Sequence, residues 1–182
     1  MNVPNALTAL RLLAVPVFIV LFVRGQLGAA LAVFCGAMIT DLLDGIAARA
    51  LKQFTKIGAI MDPIADKTMG LAALGLLCWS GRLPMWLLVV LVFREVCIFT
   101  AIWILDRTGR GYTIRPTRFG KYSTVFLTAL TIFALVQAAR RVGTTPALIV
   151  LALIAAVCIV VSWAQYLGVF VSLMRGPPAR TA

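Results

Sequence analysis

Long apolar runs, broken by short polar punctuation, make up nearly the whole chain. A bilayer core about 30 Å thick takes roughly 20 helical residues to cross, and the pattern gives six such stretches with short connections. Residues 1–10 mix polar and apolar positions; Asn2 is placed to cap and Pro4 suits a first turn, which predicts a short interfacial helix. The first span follows over about Arg11–Val23, with Pro16 as a candidate kink. Arg24-Gly25-Gln26 reads as a tight turn, and the second span runs from about Leu27 to near Arg49. A polar piece, Lys52 to Lys56, leads to a third span over about Gly58–Trp79. Ser80-Gly81-Arg82 turns the chain and Pro84 opens a fourth span to about Leu105. Residues 106–121 form the one long polar loop. The fifth span covers about Tyr122–Ala139, Arg140 to Pro146 turns, and the sixth covers about Ala147–Leu173 before a basic tail. The expected fold is an all-α integral membrane protein: six transmembrane helices preceded by a short interfacial N-terminal helix, in a single membrane domain over residues 1–182.

Composition agrees with the pattern. The chain is 62% hydrophobic with a mean hydropathy of +1.03, which is membrane-protein territory. Arg11 followed by an apolar run also has the outline of a signal peptide, but the strongly apolar remainder favours a retained first span. The net charge of +11 would suggest nucleic acid in a soluble protein. Here it sets topology and attracts anionic headgroups or phosphorylated substrates, and no nucleic-acid partner is expected. With the N-terminus inside, the inner segments hold Arg11, Arg49, Lys52, Lys56, Arg107, Arg110, Arg115, Arg118, Lys121, Arg175 and Arg180, against Arg24, Arg82, Arg140 and Arg141 outside. That bias places both termini in the cytoplasm. Cys35, Cys78, Cys97 and Cys158 sit singly in apolar runs and histidine is absent, which argues against zinc and a disulfide framework.

One stretch breaks the apolar rule. Four of the six acidic residues, Asp41, Asp44, Asp62 and Asp66, fall between positions 41 and 66; the other two are Glu95 and Asp106. Asp41 and Asp44 are i, i+3 and share a helical face, as do Asp62 and Asp66 at i, i+4. The short link makes the two helices antiparallel neighbours, so the pairs can meet across one seam at the cytoplasmic end. One aspartate at a helix centre costs about 2.5–3.5 kcal/mol on insertion scales, and four close together also repel. One or two hard divalent cations resolve both problems, because oxygen-only sites suit magnesium, calcium or manganese. A single aspartate has a plainer role open to it, capping a helix or pairing with Arg49 or Lys67; four at this spacing do not. Gly45, Ala48 and Gly58 let a ligand or a neighbouring helix approach the backbone closely, and Arg49, one turn beyond Gly45, can point a guanidinium at a phosphate.

Asp41-x-x-Asp44-Gly45-x-x-Ala48-Arg49, eight residues, then Gly58-x-x-x-Asp62-x-x-x-Asp66 resembles the signature of the CDP-alcohol phosphotransferase (phosphatidyltransferase) family at all eight positions and all gaps. The resemblance implies a metal-dependent integral membrane enzyme with six transmembrane helices, usually a homodimer, that moves a phosphoalcohol group from a CDP-alcohol to a second alcohol and releases CMP. Asp41, Asp44 and Asp62 are then metal ligands, and Asp66 is the general base and a shared ligand. Gly45, Ala48, Arg49 and Gly58 contact the cytidine diphosphate.

Finer matches point to a subgroup. The start Asn2-Val3-Pro4-Asn5-Ala6-Leu7-Thr8 with Arg11, the run Met61 to Lys67, the Arg94-Glu95 pair and Gly120-Lys121 resemble bacterial phosphatidylglycerophosphate synthases. Those use CDP-diacylglycerol and glycerol 3-phosphate in phospholipid biosynthesis, which implies a bacterial inner (plasma) membrane and a cytoplasmic active site. Cardiolipin synthases that use phosphatidylglycerol share much of this pattern, and phosphatidylinositol-phosphate synthases share the core signature. Lys67, Arg94, Arg115, Arg118 and Lys121 are candidates for gripping an acceptor phosphate. Arg94 and Glu95, inside a span, also suit a mutual ion pair. Outside the class, a divalent-metal carrier would use the same carboxylates, but would show paired acids in distant spans or repeated broken helices.

Overall fold

The computed structural model describes residues 3–51, 56–108 and 118–175. Among the described residues there are six α-helices and no strand: α1 (Val3–Val23), α2 (Leu27–Leu51), α3 (Lys56–Trp79), α4 (Met85–Arg107), α5 (Arg118–Ala139) and α6 (Pro146–Arg175). Helices are what an apolar chain without water must form, since each satisfies its backbone donors and acceptors internally. Met85–Leu105, Phe119–Ala139 and Pro146–Arg175 are long and apolar enough to cross a membrane. Among the described residues, the apolar stretches of the other three helices are Ala9–Val23, Leu27–Asp41 and Lys67–Trp79.

Two expectations are corrected. The N-terminal interfacial helix and the first span are one uninterrupted helix, α1, which runs through Pro16. No glycine stands between Val3 and Val23 to end it, and a proline costs one intrahelical hydrogen bond that a packed helix can forgo. The polar loop at 106–121 is also shorter than expected. Helix α4 reaches Arg107, whose guanidinium lies over the Trp103 ring at 5.2 Å. Helix α5 already starts at Arg118, with Ser123 and Thr124 hydroxyls donating back to the Gly120 carbonyl at 2.8 and 3.2 Å.

Three helices end in the same way. After α1, Gly25 N–H donates to Phe22 O (3.0 Å) and Gln26 N–H to Leu21 O (2.9 Å). After α3, Gly81 donates to Cys78 O and Arg82 to Leu77 O, both at 3.0 Å. After α5, Arg141 donates to Ala138 O (3.1 Å) and Val142 to Gln137 O (2.9 Å). Each is the paired 6→1 and 5→2 closure that satisfies the last carbonyls and needs a left-handed residue. Gly25 (φ 74°) and Gly81 (φ 70°) take that conformation without a Cβ, whereas Arg141 takes it at φ 56° with one. Pro146 then opens α6, where its missing N–H costs nothing.

The chain falls into two compact units. In the first, residues 1–83 and 131–145, α1 packs against both α2 and α3. Its buried stripe is Arg11, Val15, Phe18 and Phe22, at helical spacing, and α2 answers with Ala30, Phe34 and Ala37. The Phe18 ring meets Phe22 and Phe34, each at 6.0 Å between centroids. Met69, Ala73, Leu74 and Leu77 form the buried face of α3. Arg82 donates to Val142 O at 3.2 Å and so ties the turn after α3 to the turn after α5, and Gln137 donates to Thr145 Oγ1 at 2.7 Å across the latter turn. In the second unit, residues 84–130 and 146–182, α4 packs on α6. The buried stripe of α6 is Leu148, Ala152, Ala155, Ile159 and Ser162, and small residues there permit close approach. Phe93 packs on Trp163 at 5.8 Å.

Candidate active site

The two halves of the acidic motif lie on α2 and α3 of the first unit, and those two helices touch. Helix α2 carries Asp41, Asp44, Gly45, Ala48 and Arg49; helix α3 carries Gly58, Asp62 and Asp66. The side chain of Asp41 is described. Those of Asp44, Ala48, Arg49, Asp62 and Asp66, and the surroundings of Gly45 and Gly58, lie outside the described residues.

Asp41 has a partner that sequence reasoning missed. Its Oδ1 takes an ion pair from Arg11 Nη1 at 2.7 Å. Neither Arg49 nor Lys67 was needed for this. The pair is lopsided: the Arg11 side chain is 0% exposed and that of Asp41 46% exposed. The signal was present in the sequence. Arg11 continues the α1 stripe two turns before Phe18, and Asp41 continues the α2 stripe two turns after Phe34. Because Phe18 meets Phe34 across an antiparallel hairpin, the same register carried two turns onward brings Arg11 to Asp41. Arg11 is therefore buried within the bundle and leaves the tally of inner cations, which becomes ten against four.

The candidate acceptor residues are dispersed over the chain. Lys67, one position past Asp66, is half-buried on α3 of the first unit. Lys121 is exposed in the first turns of α5, in the second unit. The Arg118 side chain and all of Arg115 lie outside the described residues. Arg94, in the second unit, forms an ion pair with Glu95 at 2.6 Å, donates to Ser162 Oγ at 3.3 Å and stands 6.0 Å from the Tyr166 ring. That is the mutual pairing expected of two charges inside a span.

Among the described residues no three side chains of metal-ligating type come together, and three of the four signature carboxylates fall outside them. The donor set itself, carboxylate oxygen on two touching helices with no sulfur or imidazole, fits a hard divalent cation. No disulfide joins the four cysteines; Cys78 is buried and the rest half-buried.

Comparison with known proteins identifies a family. The family model for CDP-alcohol phosphatidyltransferase matches residues 1–174. The chain is similar to a cardiolipin synthase (CMP-forming) of Streptomyces coelicolor, 36% identical over 115 residues, covering 60% of this chain and 54% of that one. It is similar to a CDP-diacylglycerol–glycerol-3-phosphate 3-phosphatidyltransferase of Pseudomonas fluorescens, 45% identical over 105 residues, covering 54% of this chain and 53% of that one. The enzyme of the same name in Escherichia coli K12 is 31% identical over 131 residues, covering 68% of this chain and 70% of that one. The chain thus spans about half the length of the first two. A match over nearly the whole chain, on an unbroken eight-residue signature carried by two touching helices, leads to one conclusion: this chain belongs to the CDP-alcohol phosphatidyltransferase family.

Proposed function

We propose that the protein is a phosphatidylglycerophosphate synthase, which transfers the phosphatidyl group of CDP-diacylglycerol to glycerol 3-phosphate and releases CMP. The observation that carries this is the family match over residues 1–174 with the complete signature at 41–66. Relatives named for that activity, at 45% and 31% identity, support the choice of acceptor.

In this reading the acceptor hydroxyl oxygen bonds to the phosphatidyl phosphorus, the phosphorus–oxygen bond to CMP breaks, and the hydroxyl proton passes to Asp66. Asp41, Asp44, Asp62 and Asp66 would hold Mg²⁺ or Mn²⁺, one or two ions. The cation supplies charge neutralisation at the diphosphate and on the departing CMP. Arg49 offers a planar guanidinium to the diphosphate, while Gly45, Ala48 and Gly58 keep the helix surfaces low enough for the nucleotide to approach. Lys67, Arg94, Arg115, Arg118 and Lys121 are the cations available to the acceptor phosphate. The chain works as six membrane spans in a homodimer in a bacterial inner membrane, with both termini and the active site cytoplasmic. Water-soluble CMP then leaves to the cytoplasm while the acyl chains stay in lipid.

The test is transfer by purified protein with Mg²⁺ and CDP-diacylglycerol, offering labelled glycerol 3-phosphate, phosphatidylglycerol or inositol phosphate in turn. Labelled lipid from glycerol 3-phosphate alone is expected. Relatives named cardiolipin synthase, in Streptomyces coelicolor and Drosophila melanogaster, favour a second reading with phosphatidylglycerol as acceptor. Product from that lipid alone would replace the first reading and leave the family unchanged.

A further inference from the structure

We infer that Arg11 is a positioning residue for this reaction: its buried guanidinium fixes the Asp41 carboxylate in the orientation from which it grips the divalent cation. The inference rests on the proposed function, and it adds a residue that lies thirty positions upstream of the signature's first aspartate.

The argument starts from the asymmetry of the pair. An arginine cannot shed its charge, and at 0% exposure it has no bulk water to carry it. A carboxylate beside it offsets that burial, and Asp41 supplies one. Asp41 has no comparable need of a cation, because nearly half of its side chain is exposed and water can solvate a carboxylate well. The contact also leaves Asp41 acceptor capacity, since Oδ1 takes the guanidinium at 2.7 Å while a carboxylate offers about four lone-pair sites. One carboxylate oxygen stands against a single guanidinium nitrogen, Nη1, and the remaining lone pairs can serve a cation.

Rigidity of the mount comes from the same stripe. Arg11 sits on a helix whose register against α2 is set by fully or nearly fully buried Phe18 and Phe34. Moving Arg11 away from Asp41 would require sliding α1 along α2 through that packing. An outer group that orients a metal ligand is commonly worth about 10–100-fold in metal affinity. A positive charge beside the site acts in the opposite sense, by repelling the cation. The sign of the Arg11→Gln effect therefore decides between orientation and repulsion.

The experiment is Mn²⁺ binding followed by electron paramagnetic resonance on detergent-purified protein without substrate, alongside the Mg²⁺ dependence of CMP release. Arg11→Gln should weaken Mn²⁺ binding about tenfold and raise the half-saturating Mg²⁺ concentration in parallel, with the KM for the acceptor alcohol unchanged. Arg11→Lys, which keeps the charge but loses the planar guanidinium, should recover part of the loss. In an Asp41→Asn background, Arg11→Gln should cause no further weakening. Wild-type or tighter Mn²⁺ binding by folded Arg11→Gln overturns the inference. If Arg11→Gln does not fold, Arg11→Lys decides, and wild-type affinity there overturns it equally. Wild-type protein that neither binds Mn²⁺ nor releases CMP removes the functional reading as well, which separates the two failures.

Discussion

A guanidinium taken out of water dictates what must stand next to it. Replacing Asp41 with Ala would take one carboxylate away from the Arg11 guanidinium, a kind of change that costs about 3–5 kcal/mol for fully buried pairs. Because Asp41 is half-exposed, about 2 kcal/mol is expected, read as a lower unfolding temperature in detergent. Asp66→Asn should instead abolish CMP release while circular dichroism and the unfolding temperature stay at wild-type values. Lys121→Ala should raise the KM for the acceptor alcohol severalfold with little effect on CDP-diacylglycerol affinity; an unchanged acceptor KM would remove Lys121 from the acceptor site. Single residues were unevenly legible. The carboxylates stood out because an apolar chain has few reasons to keep them, and Arg94-Glu95 because two adjacent opposite charges inside a span have few other partners. Arg11 did not stand out, since one cation near a membrane end looks like a topology signal until its stripe is laid against that of α2.

Elements were legible where glycine or proline marks them. Gly25 and Gly81 announced two helix ends, and both adopt the left-handed conformation that closes them. Neither would meet an atom within 4 Å on gaining a Cβ, so Gly81→Ala should cost only the backbone preference, about 1 kcal/mol, seen in thermal unfolding. The third cap has the same hydrogen bonds built on Arg141 at φ 56°. Arg141→Gly should therefore stabilise the protein by several tenths of a kcal/mol up to about 1 kcal/mol, and a loss of stability would show that the Arg141 side chain contributes more than its backbone strain removes. What sequence could not give was where helices continue through polar residues. Neither the mixed start of the chain nor Arg118 to Lys121 interrupts a helix, because the backbone satisfies itself whether or not the side chains are apolar, and charged stems can lie along a helix face as Arg107 does over Trp103.

On the scale of the whole molecule, three helices meet the length and apolarity of a membrane crossing among the described residues. The six-span, cytoplasm-facing arrangement we propose rests on ten inner cations against four outer ones. It predicts that a membrane-impermeant maleimide modifies Arg24→Cys in intact cells and Arg175→Cys only after permeabilisation; the reverse pattern would invert the topology. The Arg11–Asp41 contact also bears on how the chain is made. When Arg11 leaves the ribosome, the carboxylate that will neutralise it has yet to be translated. The first helix on its own would carry a naked cation into hydrocarbon, so the first two helices are expected to wait and partition into lipid as a hairpin. A nascent chain halted before residue 41 should remain extractable by alkali, and one halted after α2 should not.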